Sequence, residues 1–239
     1  MKKICFIVAM QAEADPLIGH FGLKSLGAVF SPAPCHVFQG IYKDLEITLV
    51  TNGKDDGTGL DYVGCEAATL TAQLAIAHYC PDLVVNAGTA GGFASKGACV
   101  GDVYLSHKYI VFHDRRVGVP GWDRMGKGYY PCIDSDSLAR SGGFKQGICT
   151  TGSSLDMIAE DAVQMQQTGG EIKDMEAAAI AWVAQLHHTP LLCVKSITDL
   201  VGAEKPTASQ FRENLNMATR RLGEACFKIV DEYWADDRL

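Results

Sequence analysis

Three carboxylic acids in this sequence follow segments that are typical of strands. Glu13 comes shortly after the apolar run Ile4–Ala9, Asp199 comes shortly after Leu191–Ile197, and Glu176 follows a short strand-like segment. Because the carboxyl ends of parallel strands meet at one edge of a sheet, where open α/β sheets bind ligands, we expect the three side chains to converge. Converging acids can divide acid–base work, since one can protonate a leaving group while another activates water. Cleavage of a glycosidic bond uses this division, so the pattern indicates acid–base chemistry on a neutral polar substrate.

A glycine-rich stretch follows a fourth apolar run. Leu83–Val85 contains adjacent β-branched residues, which predicts a buried strand, and Gly88, Gly91 and Gly92 come soon after it. Glycines accept positive φ and allow a ligand to approach the backbone closely, so we expect a turn that lines the same sheet edge. An ordinary glycine-rich turn is the alternative. The spacing matches neither a dinucleotide-binding fingerprint nor a P-loop, so those two ligand classes are weakly supported.

The composition fits one α/β domain over residues 1–239, for which we expect a mixed central sheet between helices in a three-layer α-β-α arrangement. The chain has 239 residues, of which 47% are hydrophobic and 21% charged. Its net charge of −7 argues against a nucleic-acid partner. It has no apolar run of about 18 residues, so we expect no membrane span and no membrane partner. The nine cysteines form no C-x-x-C pair, which predicts reduced, mostly buried thiols and a cytoplasmic location.

Further elements follow from the periodicity of apolar residues. The runs Val37–Ile41 and Leu45–Val50 predict an antiparallel hairpin. A helix is expected from about Asp61, and a second, alanine-rich helix is expected to carry Glu176 in its first turn. The apolar face expected for the first of these helices consists of Val63, Ala67, Leu70, Leu74 and Ala77.

The last predicted helix starts at Thr207, where Gln210 completes a capping box. Its apolar stripe is interpreted as core packing rather than as a cofactor site. This stripe consists of Phe211, Leu215, Ala218, Leu222, Ala225, Ile229 and Trp234.

The polar, glycine-rich segment 113–126 is too long for a simple connector. It carries apolar residues, including Trp122 and Met125, which favours a lid or a partner surface. His113 stands beside Asp114, but no second histidine or cysteine follows at ligand spacing. We therefore expect no metal site there.

Six motifs together resemble a known family. The chain is similar to the methylthioadenosine/S-adenosylhomocysteine nucleosidases of the nucleoside phosphorylase superfamily, with some segments closer to the plant-type branch. The resemblance implies a nucleoside phosphorylase-like fold and hydrolysis of the N-glycosidic bond of 5′-methylthioadenosine, as in methionine salvage. S-adenosylhomocysteine is a second candidate substrate. The resemblance implies no cofactor or metal, and a homodimer in which each site receives apolar groups from its neighbour. The motifs lie at residues 9–14, 85–92, 111–116, 151–156, 173–176 and 198–201.

The resemblance also implies roles for individual residues. Glu13 would be the general base that activates water, and Asp199 would protonate adenine at N7. Glu176 would accept hydrogen bonds from the ribose hydroxyls, Met175 would pack on the sugar, and Thr89 would belong to the ribose and water pocket. The remaining members of the implied substrate-binding set are Lys173, Asp174, Leu155 and Thr198.

Two other functions remain open. A purine nucleoside phosphorylase uses phosphate as nucleophile and needs basic or amide-rich surroundings. Here a carboxylate, Glu13, occupies the corresponding place, and no lysine or arginine follows it until Lys24. A non-catalytic storage or nucleoside-binding protein could share the fold while losing the acids, but this chain retains all three. The chain also departs from the family pattern in four residues, Ala90, Ser153, Lys195 and Thr198.

Overall fold

A computed structural model of the protein describes residues 1–231. Ten strands form one sheet: β1 (Lys2–Val8), β2 (Lys24–Gly27), β3 (His36–Tyr42), β4 (Leu45–Thr51), β5 (Leu83–Gly92), β6 (Val103–Phe112), β7 (Tyr130–Pro131), β8 (Lys145–Thr151), β9 (Ile172–Asp174) and β10 (Leu191–Leu200). Seven α-helices accompany the sheet: α1 (Gln11–Phe21), α2 (Cys65–Tyr79), α3 (Trp122–Lys127), α4 (Asp136–Gly142), α5 (Ala159–Gln167), α6 (Ala177–Leu186) and α7 (Thr207–Ile229).

The sheet is mixed, as predicted, and part of it closes on itself. The strand order is β10-β6-β8-β9-β5-β1-β4-β3-β2, β7 pairs with β6, and β10 also pairs with β5. Strands β5, β10, β6, β8 and β9 therefore form a closed circuit, from which β1, β4, β3 and β2 extend. Strand β5 is parallel to β1 and β10 but antiparallel to β9. Antiparallel pairing of β3 with β4 confirms the predicted hairpin.

Helices cover both faces of the sheet, which confirms the three-layer arrangement. On one face α2 and α6 bury small side chains such as Ala72 and Ala181 against Ile7 and Val84 of the strands. On the other face α1, α4 and α7 pack on a second cluster that contains Leu17, Leu138 and Leu222. Successive side chains of a strand alternate between two faces, so each central strand contributes to both cores.

The predicted apolar face of α2 was wrong. The helix begins at Cys65 rather than near Asp61, and its buried residues are Cys65, Ala68, Thr71, Ala72, Ala75 and Ile76. Val63 and Leu70, assigned to the buried face, are 47% and 44% exposed. The helix is apolar on most of its circumference, so periodicity could not select a face. Small residues such as Ala68, Ala72 and Ala75 let the helix lie close to the sheet, whereas the larger Leu70 points outward.

The glycine-rich stretch is a strand and not a turn. Strand β5 continues to Gly92, and Gly88, Gly91 and Gly92 are absent from the residues with positive φ. Space is the reason for glycine here. A Cβ atom on Gly92 would lie 2.6 Å from Cβ of Ala98 and 3.1 Å from Cγ2 of Ile197.

Helix α7 starts at Thr207 as predicted, but the predicted capping box is absent. Pro206 precedes the helix, and no side chain caps it. The Gln210 side chain instead accepts a hydrogen bond from the N–H of Leu200 and donates one to the carbonyl of Lys205. It thus ties the helix to the end of β10. Trp234, predicted for the apolar stripe, lies outside the described residues.

Replacing Gly92 with alanine should destabilise the fold. The added methyl group has no room beside Ala98, and overpacking of this kind typically costs about 1–3 kcal/mol. Urea-induced unfolding measures the change. The matched control is Gly19→Ala in α1, where a Cβ atom meets nothing within 4 Å. That variant should be neutral or gain up to about 1 kcal/mol, since alanine favours a helix over glycine. Equal effects of the two substitutions would contradict this explanation.

Candidate active site

One cavity of about 220 Å³ is lined by all nine residues selected from the sequence as catalytic or substrate-binding. It opens beside the ends of β1, β5, β9 and β10. The structure thus brings these residues together, while their individual roles remain predictions. They are Glu13, Leu155, Thr89, Lys173, Asp174, Met175, Glu176, Thr198 and Asp199.

Glu13 lies in the first turn of α1, directly after β1. One carboxylate oxygen, Oε1, accepts hydrogen bonds from the backbone N–H and the hydroxyl of Thr89, both at 2.7 Å. The other oxygen accepts a hydrogen bond from the N–H of Met10 at the start of the helix. Burial raises the pKa of Glu13, and the Thr89 hydrogen bonds and the nearby Lys195 oppose that effect. The hydrogen bonds therefore fix the Glu13 carboxylate in the cavity, and its raised pKa makes it a better proton acceptor.

Asp199 reaches the cavity because of a bulge in β10. Lys195 pairs with Gly88 and Ile197 with Ala90, but Asp199 pairs with Gly91, so Thr198 is an extra residue. With regular alternation Asp199 would share a face with Lys195, and one extra residue moves it to the opposite face.

The hydrogen bonds around Asp199 hold its carboxyl group in this position. Its Oδ1 accepts a hydrogen bond from the hydroxyl of Thr198 at 2.8 Å, and Asn214 binds the Thr198 carbonyl. Burial raises the pKa of Asp199, which favours the protonated form that an acid catalyst needs.

Glu176 enters the cavity from the opposite direction. The expectation that all three acids follow parallel strands was wrong, because β9 runs antiparallel to β5. Glu176 directly precedes α6 rather than lying in its first turn, and its Oε1 accepts a hydrogen bond from the N–H of Gly64 at 2.9 Å. Burial, together with the negative charge of Asp174, raises the pKa of Glu176 to about 7. Its carboxyl group is thus poised to accept or donate hydrogen bonds near neutral pH.

Beneath the cavity lies an ion pair that the sequence analysis did not select. Nζ of Lys195 is 2.8 Å from Oδ2 of Asp174, and the two side chains are 1% and 0% exposed. Asp174 also accepts hydrogen bonds from the hydroxyl of Thr151 and from the N–H of Ala177. Both carboxylate oxygens of Asp174 are thus bound by protein groups.

Both members of this pair remain charged. Burial alone would raise the pKa of Asp174, but Lys195 and the hydrogen bonds hold it below its usual value. Burial alone would lower the pKa of Lys195, but Asp174 raises it overall. A Cβ atom on Gly88 would lie 3.3 Å from Nζ of Lys195 and 3.5 Å from Oε1 of Glu13. Glycine at this position thus leaves the ammonium group close to Glu13. The lysine within an otherwise apolar strand was the sequence signal for this group.

Apolar side chains complete the wall of the cavity. Met175 and Leu155 were predicted to be there, whereas Met10, Val63 and Phe211 were not. Phe211 had been assigned to core packing of α7, and this was wrong because the first turns of the helix pass the cavity mouth. Since the helical period cannot distinguish a core from a pocket wall, the sequence held no clear signal for Phe211.

His113 is a buried residue next to β8. Its ring bonds the hydroxyl of Thr150, and burial lowers the pKa of His113 to about 4. Within residues 1–231, no cluster of three or more His, Cys, Asp or Glu side chains could hold a metal ion. Over the same residues, none of the helices has the length and apolarity needed to cross a membrane. All nine cysteines are free, and six of them are buried.

The fold and the site together define the class of protein. The chain belongs to the phosphorylase superfamily, whose family model matches residues 3–231. The predicted nucleoside phosphorylase-like fold is therefore confirmed.

Particular relatives are also similar to this chain. It is 41% identical over 235 residues to the 5′-methylthioadenosine/S-adenosylhomocysteine nucleosidase of Arabidopsis thaliana, covering 97% of this chain and 91% of that protein. It is 39% identical over 233 residues to the 5′-methylthioadenosine nucleosidase of the same plant, covering 97% and 87%. The apo structure of Arabidopsis thaliana 5′-methylthioadenosine nucleosidase superposes with a TM-score of 0.95 at 38% identity, covering 100% of this chain and 98% of that one.

Replacing Lys195 with methionine should destabilise the protein strongly. The substitution leaves Asp174 buried without its counter-charge, and breaking such a pair typically costs about 3–5 kcal/mol. Guanidinium-induced unfolding measures this loss, and Lys195→Met with Asp174→Asn should recover part of it. Lys205→Met serves as control, because the Lys205–Glu213 pair is exposed and should contribute little. If Lys195→Met were as stable as the control, the buried pair would have no structural importance.

Proposed function

We propose that this chain is a hydrolase that cleaves the N-glycosidic bond of 5′-methylthioadenosine to give adenine and the methylthioribose sugar. The observation that carries the proposal is that two buried carboxyl groups line one cavity, Glu13 from the first turn of α1 and Asp199 from the end of β10. The similarity to plant nucleosidases supports the same substrate class. The reaction would serve methionine salvage in the cytoplasm.

The acids divide the reaction between them. Asp199, whose pKa is raised by burial, gives its proton to N7 of adenine as the glycosidic bond breaks. Glu13, which Thr89 holds in place, takes a proton from the water that adds to the anomeric carbon. Glu176 binds the ribose hydroxyls, and its negative form stabilises the positive charge that develops on the sugar. The apolar wall formed by Met10, Leu155 and Phe211 fits a methylthio group.

The surroundings of Glu13 favour water over phosphate as nucleophile. Among the described residues that line the cavity, Lys173 is the single basic one, and its ammonium group already binds two backbone carbonyls. Lys195 is neutralised by Asp174. A phosphate dianion would therefore meet carboxylates without a free cation, which disfavours a phosphorylase. A non-catalytic role is disfavoured because all three acids are retained in the cavity.

Purified protein should release adenine from 5′-methylthioadenosine at the same rate with and without phosphate. Glu13→Gln and Asp199→Asn should each lower kcat by about 10²–10⁴-fold, since each removes a proton-transfer group. Glu13→Gln should still bind substrate, because the amide keeps the shape and an acceptor for Thr89. Adenine release, followed by absorbance, measures turnover, and calorimetry measures binding.

The same assay with S-adenosylhomocysteine tests the second substrate. Asp15→Asn is the control, since Asp15 is exposed on α1 beside Glu13. Adenine release that requires phosphate would assign the chain to the phosphorylases, and release from neither nucleoside would assign it to the non-catalytic class. An Asp199→Asn variant within threefold of wild type would remove Asp199 from the acid role.

We propose in addition that the active species is a homodimer. The segment 117–125 contributes nothing to the cavity of its own chain, and it exposes Trp122 and Met125 by 62% and 66%. Leu70 of α2 and Trp182 of α6 are also exposed on the neighbouring helices of one sheet face. Apolar area of this kind is typical of a partner surface. A second copy of the chain would cover it and exclude water from the acids.

Light scattering at assay concentration should give twice the mass of one chain. Asp199→Asn and Trp122→Ala should each be poorly active alone, and their mixture should regain activity. In the mixed dimer, the site with an intact Asp199 receives the intact segment of its partner. Ile41→Ala, at an exposed apolar residue of β3, is the control and should keep full activity. A fully active monomer would contradict the proposed homodimer.

A further inference from the structure

Two strands flank Gly91, and each places a charged residue beside it. Gly91 pairs with Lys173 of β9 on one side and with Asp199 of β10 on the other. Residues directly opposite one another in a sheet share a face, so both side chains leave the sheet on the same face of β5. Gly91 places no side chain between them, and a Cβ atom there would lie 2.7 Å from Oδ2 of Asp199. The next residue, Asp174, turns to the other face and pairs with Lys195.

The ammonium group of Lys173 also holds one wall of the cavity. Its Nζ donates hydrogen bonds to the carbonyl oxygens of Ser154, at 2.6 Å, and of Leu155, at 2.9 Å. These residues belong to the irregular segment between β8 and α5, and Leu155 lines the cavity. Lys173 is 7% exposed. The buried ammonium group of Lys173 thus links the Ser154–Leu155 wall of the cavity to strand β9.

We propose that Lys173 is a positioning residue, which fixes the Ser154–Leu155 wall and stabilises the carboxylate that Asp199 becomes when it gives up its proton. This inference rests on the proposed function and names the group that supports its acid. The bond between N9 of adenine and the anomeric carbon breaks, and its electron pair goes to the base. The proton of Asp199 moves to N7, which leaves a negative charge on Asp199. A fixed cation across Gly91 stabilises that charge as it develops.

The charges around Lys173 agree with this role. Burial lowers the pKa of Lys173, while Asp199 is the first of the acids that raise it. Conversely, burial raises the pKa of Asp199, while the Thr198 hydroxyl and Lys173 lower it. The other titratable groups around Lys173 are Asp174 on the same strand, Asp156 after β8, Asp161 on α5 and His113 after β6. These groups stay in place when Lys173 is replaced, so a change in the titration of Asp199 reports on Lys173.

The pH dependence of kcat/KM separates this role from a purely structural one. Lys173→Met should lower kcat by about 10-fold or more, which is less than the roughly 10²–10³-fold lost with a donor that contacts the reacting atoms. The alkaline limb of the kcat/KM profile of this variant reports deprotonation of Asp199. It should move to higher pH by about half a unit or more, because removing a nearby cation raises the pKa of a carboxyl group. The acid limb, which reports deprotonation of Glu13 and Glu176, should stay, because Lys173 does not shift the pKa of either group. Lys173→Arg keeps the charge and should restore both the rate and the alkaline limb.

Lys96→Met is the matched control. Lys96 likewise donates to two carbonyl oxygens, those of Gly169 and Gly170, but it does not line the cavity. The control should leave the pH profile of the wild type unchanged. Thermal unfolding checks that each variant folds. If Lys173→Met does not fold, Lys173→Gln replaces it, because glutamine keeps an N–H donor without the charge.

The outcomes distinguish the two proposals. If Lys173→Met or Lys173→Gln is folded and active and keeps the wild-type alkaline limb, the role of Lys173 is overturned. The proposed function then stays intact. A shift of the alkaline limb that Lys173→Arg reverses supports the role. A wild-type chain that releases no adenine overturns the proposed function, and with it the role of Lys173.

Discussion

The buried ion pair between Lys195 and Asp174 is the interaction on which the arrangement of the site depends. It joins β10 to β9 beneath the cavity, on the face of the sheet away from Asp199. Asp174 also binds the N–H of Ala177, so the pair fixes the start of α6 and, through it, Glu176. A buried charge pair is costly to break and adds little net stability by itself. We infer that its value lies in fixing the distance between strands that carry different catalytic groups.

Missing side chains matter as much as present ones. Gly88 leaves room for Lys195 beside Glu13, Gly91 leaves room for Asp199, and Gly92 leaves room for Ala98. None of the three needs the backbone freedom of glycine, because all lie in an extended strand. The glycines therefore act through their small volume, and Gly88 and Gly91 leave space beside β5 for the charged groups of Lys195 and Asp199.

The site opposes folding to some degree. Glu13, Glu176 and Asp199 are buried carboxyl groups whose pKa values burial raises. A carboxyl group whose folded pKa exceeds its unfolded value binds its proton more tightly in the folded state. Its contribution therefore favours folding most at low pH and is lost as the pH rises towards the folded pKa, which for Glu176 is about 7. The two apolar cores on either side of the sheet must offset this cost at neutral pH.

Local chemistry was readable in the sequence. Apolar runs predicted many of the strands, and the acids that follow three of them were expected at one edge of the sheet. The resemblance to the nucleosidases implied the other residues selected for the site. Periodicity failed where a helix is apolar all round, as in α2, or where an apolar residue faces a pocket, as with Phe211. A prediction of buried thiols needed only their apolar neighbours, and six of nine cysteines are indeed buried.

The sequence by itself thus determined which residue types are available and which elements carry them. Tertiary structure alone decided the direction from which each acid arrives. Strand β9 runs antiparallel to β5, and the bulge at Thr198 turns Asp199 to the opposite face from Lys195. Both depend on hydrogen bonds between strands that are distant in the chain, such as the pairing of Gly91 with Lys173. A pattern of neighbouring residues carries no information about such register, since one extra residue reverses the face of every residue after it.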